Sequence, residues 1–162
     1  MDDKQIAKEI RIAIKQGDVD RVSFLIGHEK ARLHMMTPFG TWLHVAAAHG
    51  QLEILKLLLD LGIDINTYGG ISGGGPLNEA ASEGHIEIVA YLLSKGAKLD
   101  ETEPEKNPLF SAIHGGHVAI AKLLIDKGID TTVKYSGPSM SNMDALAFAQ
   151  ERGQDEIAKM LS

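Results

Sequence analysis

Apolar residues come in short bursts bounded by glycines. Leu52, Ile54, Leu55, Leu57 and Leu58 form the first burst. Ile86, Ile88, Val89, Leu92 and Leu93 form the second, and Val118, Ile120, Leu123 and Leu124 the third. Each set falls on one wide helical face. Gly50, Gly84 and Gly116 stand before the bursts, and Gly62, Gly96 and Gly128 follow them. The following glycines predict helix ends in the left-handed conformation. Upstream of each burst lies a shorter, small-sided stretch: Ala46 and Ala47, then Ala80 and Ala81, then Ala112. Thr41, Gly75, Asn107 and Asp144 precede these stretches and are favoured helix N-caps. Pro76 and Pro108 occupy the first helical position, where a missing N–H costs nothing. The pattern predicts pairs of antiparallel helices, a short one lined with alanine and a longer amphipathic one. No single pair can bury its apolar face alone, so the pairs must stack.

The pairs recur at a fixed period. Gly50, Gly84, Gly116 and Gly153 are 34, 32 and 37 residues apart, and the same spacings separate Leu43, Leu77, Leu109 and Leu146. Gly17 lies 33 residues before Gly50, which extends the rhythm to the N-terminal segment. The opening phrases are Thr41-Trp42-Leu43-His44-Val45-Ala46-Ala47, Gly75-Pro76-Leu77-Asn78-Glu79-Ala80-Ala81, Asn107-Pro108-Leu109-Phe110-Ser111-Ala112 and Asp144-Ala145-Leu146-Ala147-Phe148-Ala149. Gly84-His85 and Gly116-His117 mark the turns. From about residue 5 to 161 the chain resembles the ankyrin repeat family, whose phrase is Thr-Pro-Leu-His-x-Ala-Ala, then Gly-His, an apolar helix and Gly-Ala-Asp. Trp42 stands in place of the usual proline, and Asn78 and Phe110 in place of the usual histidine.

The resemblance implies an all-α solenoid of about four helix-turn-helix repeats, joined by hairpin or loop fingers and preceded by an N-terminal capping helix pair. One domain is expected to fill residues 1–162. Its parts are a cap over 1–35, repeats over 36–68, 69–101 and 102–134, and a C-terminal capping repeat over 135–162. Helices over 3–16 and 19–27 form the first cap, around Gly17-Asp18. The last unit is polar outside (Gln150, Glu151, Arg152, Gln154), as a terminal unit must be.

Composition narrows the function. Net charge is −6, which argues against nucleic acid and is compatible with a basic protein partner. There is no cysteine, so neither disulfides nor thiol chemistry enter. Met1-Asp2-Asp3-Lys4-Gln5 lacks the apolar stretch of a secretory leader, and no apolar run is long enough for a membrane span. The chain is expected to be cytoplasmic, away from membranes, and monomeric when free.

Three features could carry chemistry. Residues 69–75 hold five glycines in seven, and Gly70-Ile71-Ser72-Gly73-Gly74 matches the Gly-x-Ser-x-Gly elbow of serine hydrolases. That elbow works on a strand-to-helix turn of an α/β sheet, which this pattern does not provide. A phosphate cradle ahead of Pro76 lacks the Gly-Lys-Ser/Thr that would follow it. The plain reading is a flexible finger that remodels on binding. The seven histidines include no zinc-ligand spacing with cysteine or carboxylate partners. His44, His85 and His117 fall at positions the family uses structurally. The segment 100–105 carries four carboxylates in six residues and reads either as a solvated loop or as a contact for a basic partner.

No catalytic, cofactor-binding or metal-binding residue is assigned. By resemblance, partners bind across the fingertips and the concave side of the first helices. On this chain that face comprises Phe39, Trp42, Tyr68, Ile71, Glu101, Glu103, Glu105 and Tyr135 from the fingers and helix starts; Trp42 reads equally as packed on its own first helix, since tryptophan is usually well buried. His49, Glu83, His114 and Arg152 join it from the helix ends. The expected function is a non-enzymatic, stoichiometric binder of another protein, of inhibitor or immunity type, for a basic partner. An adaptor is the alternative, and a small-ligand binder or enzyme using Ser72 is a further one.

Overall fold

The structure, a computed structural model, describes residues 1–162. It opens with α1 (Asp3–Gln16), α2 (Val19–Ile26) and a short α3 (Lys30–Leu33). Three helix pairs follow: α4 (Trp42–Ala48) with α5 (Leu52–Asp60), α6 (Pro76–Glu83) with α7 (Ile86–Ser94), and α8 (Pro108–Gly115) with α9 (Val118–Asp126). A two-stranded antiparallel hairpin, β1 (Tyr135–Gly137) and β2 (Met140–Met143), leads into α10 (Ala145–Glu151) and α11 (Asp155–Leu161).

The first helices α1, α4, α6, α8 and α10 form one row, each packed on the next. The second helices form another, with α2 against α5, α7 against α9 and α9 against α11. The alanine-lined row packs closer, because Ala46, Ala47, Ala80, Ala81 and Ala112 are fully buried and take up little width. The apolar bursts fill the space between the rows: Ile54, Leu55, Leu58, Ile88, Leu92 and Leu124 are almost wholly buried in one continuous core.

The caps follow the sequence. The Asp2, Asp18, Asn107 and Asp144 side chains each accept from backbone N–H groups in the first turn of their helix. Thr41 and His44 cap α4 together: the Thr41 N–H donates to His44 Nδ1 at 3.1 Å.

Neighbouring units are tied by a repeated bond. The side chains after Gly50, Gly84 and Gly116 reach back to the end of the preceding first helix. Gln51 Nε2 donates to the Lys15 carbonyl at 3.1 Å, His85 Nε2 to that of Ala48 at 3.0 Å, and His117 Nε2 to that of Ser82 at 2.8 Å. Gly84 shows why the turn must lack a side chain. Its φ is 84°, and a Cβ there would lie 2.6 Å from His117 Cε1. A second set of ties joins the fingers. His44 Nε2 donates to the Gly74 carbonyl at 3.0 Å, and Asn78 Nδ2 to that of Glu105 at 2.8 Å. Asn78 thus does in its unit what His44 does in the first.

Phe110 solves the same problem without a hydrogen bond. It stacks on Phe148 (centroids 5.0 Å apart) and meets the Tyr135 ring edge-on, also at 5.0 Å. The Tyr135 hydroxyl donates to the Glu101 carbonyl at 2.6 Å and accepts from Asn107 Nδ2 at 3.0 Å.

Candidate protein-binding face

The short helices end on one side of the stack, and two cavities open there. The larger, about 400 Å³, is floored by Phe110, Phe148 and Met140, with Glu105, His114 and Arg152 around it. The smaller, about 330 Å³, lies between α1 and α6, with Arg11 and Lys15 on one wall and Glu79 and Glu83 on the other. Phe39, His49 and Ile71 complete it.

The glycine finger stands at both. Ile71 lines the smaller cavity and Ser72 the larger. The finger closes on itself through the Gly69 N–H and the Gly74 carbonyl at 2.9 Å, and His44 holds the same carbonyl. Gly70 has φ of 74°, and a Cβ there would lie 2.9 Å from Glu79 Oε1 and 3.3 Å from the Phe39 carbonyl. Glycine therefore lets the finger lie down on α6 while its tip points out. Ile71 at that tip is 88% exposed, and Phe39 is 42% exposed beneath the Arg11 guanidinium at 4.7 Å.

Charge on this face is ordered. Burial pushes the Glu79 carboxyl up, Glu83 adds to the effect, and a bond from Ser72 Oγ at 3.4 Å works against it. Burial also lowers His49, helped by Lys15 and opposed by Glu83. Ser72 sits in the glycine finger and outside the two-stranded sheet, so it has no strand-to-helix elbow. No three His, Asp or Glu side chains converge as a metal site.

The expected residues divide into four groups. Phe39, His49, Ile71 and Glu83 come together at the smaller cavity, and Glu105, His114 and Arg152 at the larger. Tyr68 and Glu103 are exposed at the finger rim, where Lys106 lies 4.7 Å over the Tyr68 ring and 3.4 Å from Glu103. Three residues do not present themselves to a partner. Trp42 is fully buried, and its indole N–H donates to the Arg32 carbonyl at 2.7 Å under α3. Tyr135 is buried in the aromatic cluster described above. The Glu101 carboxylate is half-buried and accepts the Asp130 N–H at 2.7 Å, so it joins two loops.

The acidic segment is correspondingly less available than its composition implies. Asp100 is buried and bonded by Thr102 and by the Tyr68 hydroxyl. Burial opposes its charged form, but those bonds outweigh it and hold the carboxyl below the usual range. Arg11, Lys15 and Glu79 were not among the expected face. The first two sit on a cap that lacks the opening phrase, and Glu79 lies mid-helix, where a half-buried carboxylate carries no sequence signal.

His44 couples folding to pH. Nδ1 accepts from Thr41 and Nε2 donates to Gly74, so the ring is neutral and the tautomer fixed. Burial lowers its pKa, opposed by the Gly74 bond. The unfolded chain therefore takes up the proton first, near pH 6.5. His44's contribution is complete above that pH and is lost as pH falls below it. The urea midpoint is expected to drop between pH 7 and pH 5.5, and more steeply than in His44→Asn. Parallel pH profiles of the two proteins would refute this role.

Comparison with known proteins agrees with this architecture. A family profile described as ankyrin repeats (3 copies) matches residues 10–103 and 77–162. A putative ankyrin repeat protein of Rickettsia felis is 29% identical over 136 residues, covering 78% of this chain and 60% of that protein. The human protein phosphatase 1 regulatory subunit 27 is 39% identical over 93 residues, covering 57% of this chain and 60% of its own. A second putative ankyrin repeat protein of R. felis is 31% identical over 140 residues, covering 84% of this chain and 33% of that protein. The alignments thus cover 60% of the length of each of the first two relatives and a third of the last.

Proposed function

The chain belongs to the ankyrin repeat family, whose repeats are protein–protein interaction modules, and from that premise we propose that it is a non-catalytic binder gripping another protein between its fingers and the concave ends of its first helices. The observation that carries this reading is Ile71. An isoleucine 88% exposed, at a glycine-framed tip between two cavities and close to a half-exposed Phe39, is an apolar anchor awaiting a partner. The contact residues are Phe39, His49, Ile71, Glu83, Glu105, His114 and Arg152, with Tyr68 and Glu103 at the rim. Glu83, Glu103 and Glu105 are exposed carboxylates, and the net charge is −6, which favours a partner with a basic surface. A relative named as a regulatory subunit supports regulation by stoichiometric occupancy, as an inhibitor or immunity-type protein. An adaptor would use the same face. The chain acts as a monomer in the cytoplasm on this reading. No helix is long and apolar enough to cross a membrane.

Affinity capture from an extract of the source cells, with wild type and Ile71→Asp side by side, tests the proposal. Ile71 contributes nothing to the core, so thermal unfolding should not change. A one-to-one partner should be lost, with affinity reduced about 10- to 100-fold, as for an interface anchor. Equal capture by both proteins would sink the reading. Titrating the captured protein's own activity with the chain then separates an inhibitor from an adaptor.

A further inference from the structure

The smaller cavity is bordered by four charges, and none of them is in an ion pair. The four salt bridges of the molecule join Arg21 to Glu9, Lys56 to Glu53, Lys106 to Glu103 and Lys122 to Asp126. Arg11 and Lys15 face the cavity from α1, and Arg11 lies over the Phe39 ring instead of reaching a carboxylate. Glu79 and Glu83 face it from α6, one turn apart, where Glu79 is half-buried with only the long Ser72 bond. Between the two walls lie the apolar Phe39, Val45, Ala48 and Ile71, with His44 and His49 beside them. Arg11 and Glu79 are half-buried and unpaired, with the exposed Lys15 and Glu83 beside them, so each wall carries one partly desolvated, uncompensated charge. A ligand that brings opposite charges to each wall relieves both.

We infer that this cavity seats a segment of the partner in which an apolar residue lies between a carboxylate, bound by Arg11 and Lys15, and a lysine or arginine, bound by Glu79 and Glu83. The inference rests on the binding-module reading and gives it a recognition chemistry. The α6 wall suits a guanidinium best, because paired carboxylates match its fork of donors. The spacing follows from the fold. α1 and α6 are two packing steps apart, each about 8–10 Å. Arg11 and Lys15 reach inward and shorten the span. An extended segment advances about 3.3 Å per residue, so the two charges lie roughly three to five residues apart. A partner with a uniformly basic surface would meet Arg11 and Lys15 unfavourably. The basic character expected of the partner therefore belongs to the α6 side and beyond it.

Selection of a random short-peptide display library against the full chain, followed by titration of the winners, tests this. Selected peptides should share a carboxylate and a base on opposite sides of an apolar residue. On the wild type, neutralising either peptide charge should weaken binding about tenfold. On Glu79→Gln/Glu83→Gln, neutralising the base should have no effect while neutralising the carboxylate still weakens binding. On Arg11→Gln/Lys15→Gln the pattern should invert. The Glu→Gln changes are isosteric and the Arg11 and Lys15 changes shorten the side chains; none touches a core residue, and a thermal melt of each variant verifies the fold. Binders without paired charges, binders indifferent to both variants, or no binders at all would overturn the inference. Indifferent binders that still require Ile71 would leave the module reading standing, and partner capture decides that reading independently.

Discussion

Trp42→Ala is expected to remove about 3–5 kcal/mol of folding free energy, the range for deleting a fully buried aromatic side chain. The indole is 0% exposed and lies at the start of α4, where the cap meets the first repeat. Its loss leaves a void and also strips the Arg32 carbonyl of its only donor at that site. Because stability in a stacked array is shared between neighbours, the damage should show as detachment of α1–α3 from the rest. Urea unfolding followed by circular dichroism should give an earlier or a split transition. Trp42→Phe should cost less, since it keeps most of the volume and loses only the hydrogen bond. The folded fraction of either variant should bind partner normally. A loss below about 1 kcal/mol for alanine would mean that α3 does not clamp the indole as described.

Phe110→Ala should be of similar size, about 3–5 kcal/mol, and should act at the other end of the stack. Phe110 bridges α8, the β1–β2 hairpin and α10 through its two aromatic neighbours. Removing it takes away both ring contacts and loosens Tyr135, whose hydroxyl ties the last finger to Glu101 and Asn107. Amide exchange in β1, β2 and α10 should accelerate well before that in α4 and α5. Phe110→His would place a polar ring between Phe148 and Tyr135 and should also destabilise. Uniform acceleration along the whole chain would refute a local role for the cluster.

These two residues mark the limit of what the sequence disclosed. Helices and caps were legible because their signals are local: Pro76, Pro108, Asn107 and Asp144 sit within one turn of the groups they serve. The stack was legible because its period is written repeatedly. The cover over Trp42 was not, since α3 is four residues long and carries no period. An exposed anchor and a buried clamp look alike when the covering segment lies upstream and irregular. Tyr135 was misread for a similar reason: its partner Glu101 is 34 residues earlier and offers a backbone carbonyl, which no residue type reveals. Asp100 and Glu101 were read as free charge, yet their acceptors are used within and between loops. Ile71 was placed on the face only by its position in the second finger, and the structure leaves it 88% exposed. The polarity of the smaller cavity required the geometry, because Arg11 and Glu79 meet only when α1, α4 and α6 are laid side by side.

The backward-reaching bonds of Gln51, His85 and His117 have a consequence for how such a chain can change length. The units of α4–α5 and α6–α7 carry both halves of a joint, a donor facing the predecessor and a helix-end carbonyl bonded by the successor. A unit copied in tandem and inserted between two others arrives already fitted to both. Deletion at the front is different, because it strands the Gln51 amide without the Lys15 carbonyl and uncovers Leu55 and its neighbours. Adding a unit in the middle of such an array should therefore disturb stability less than removing one from its front.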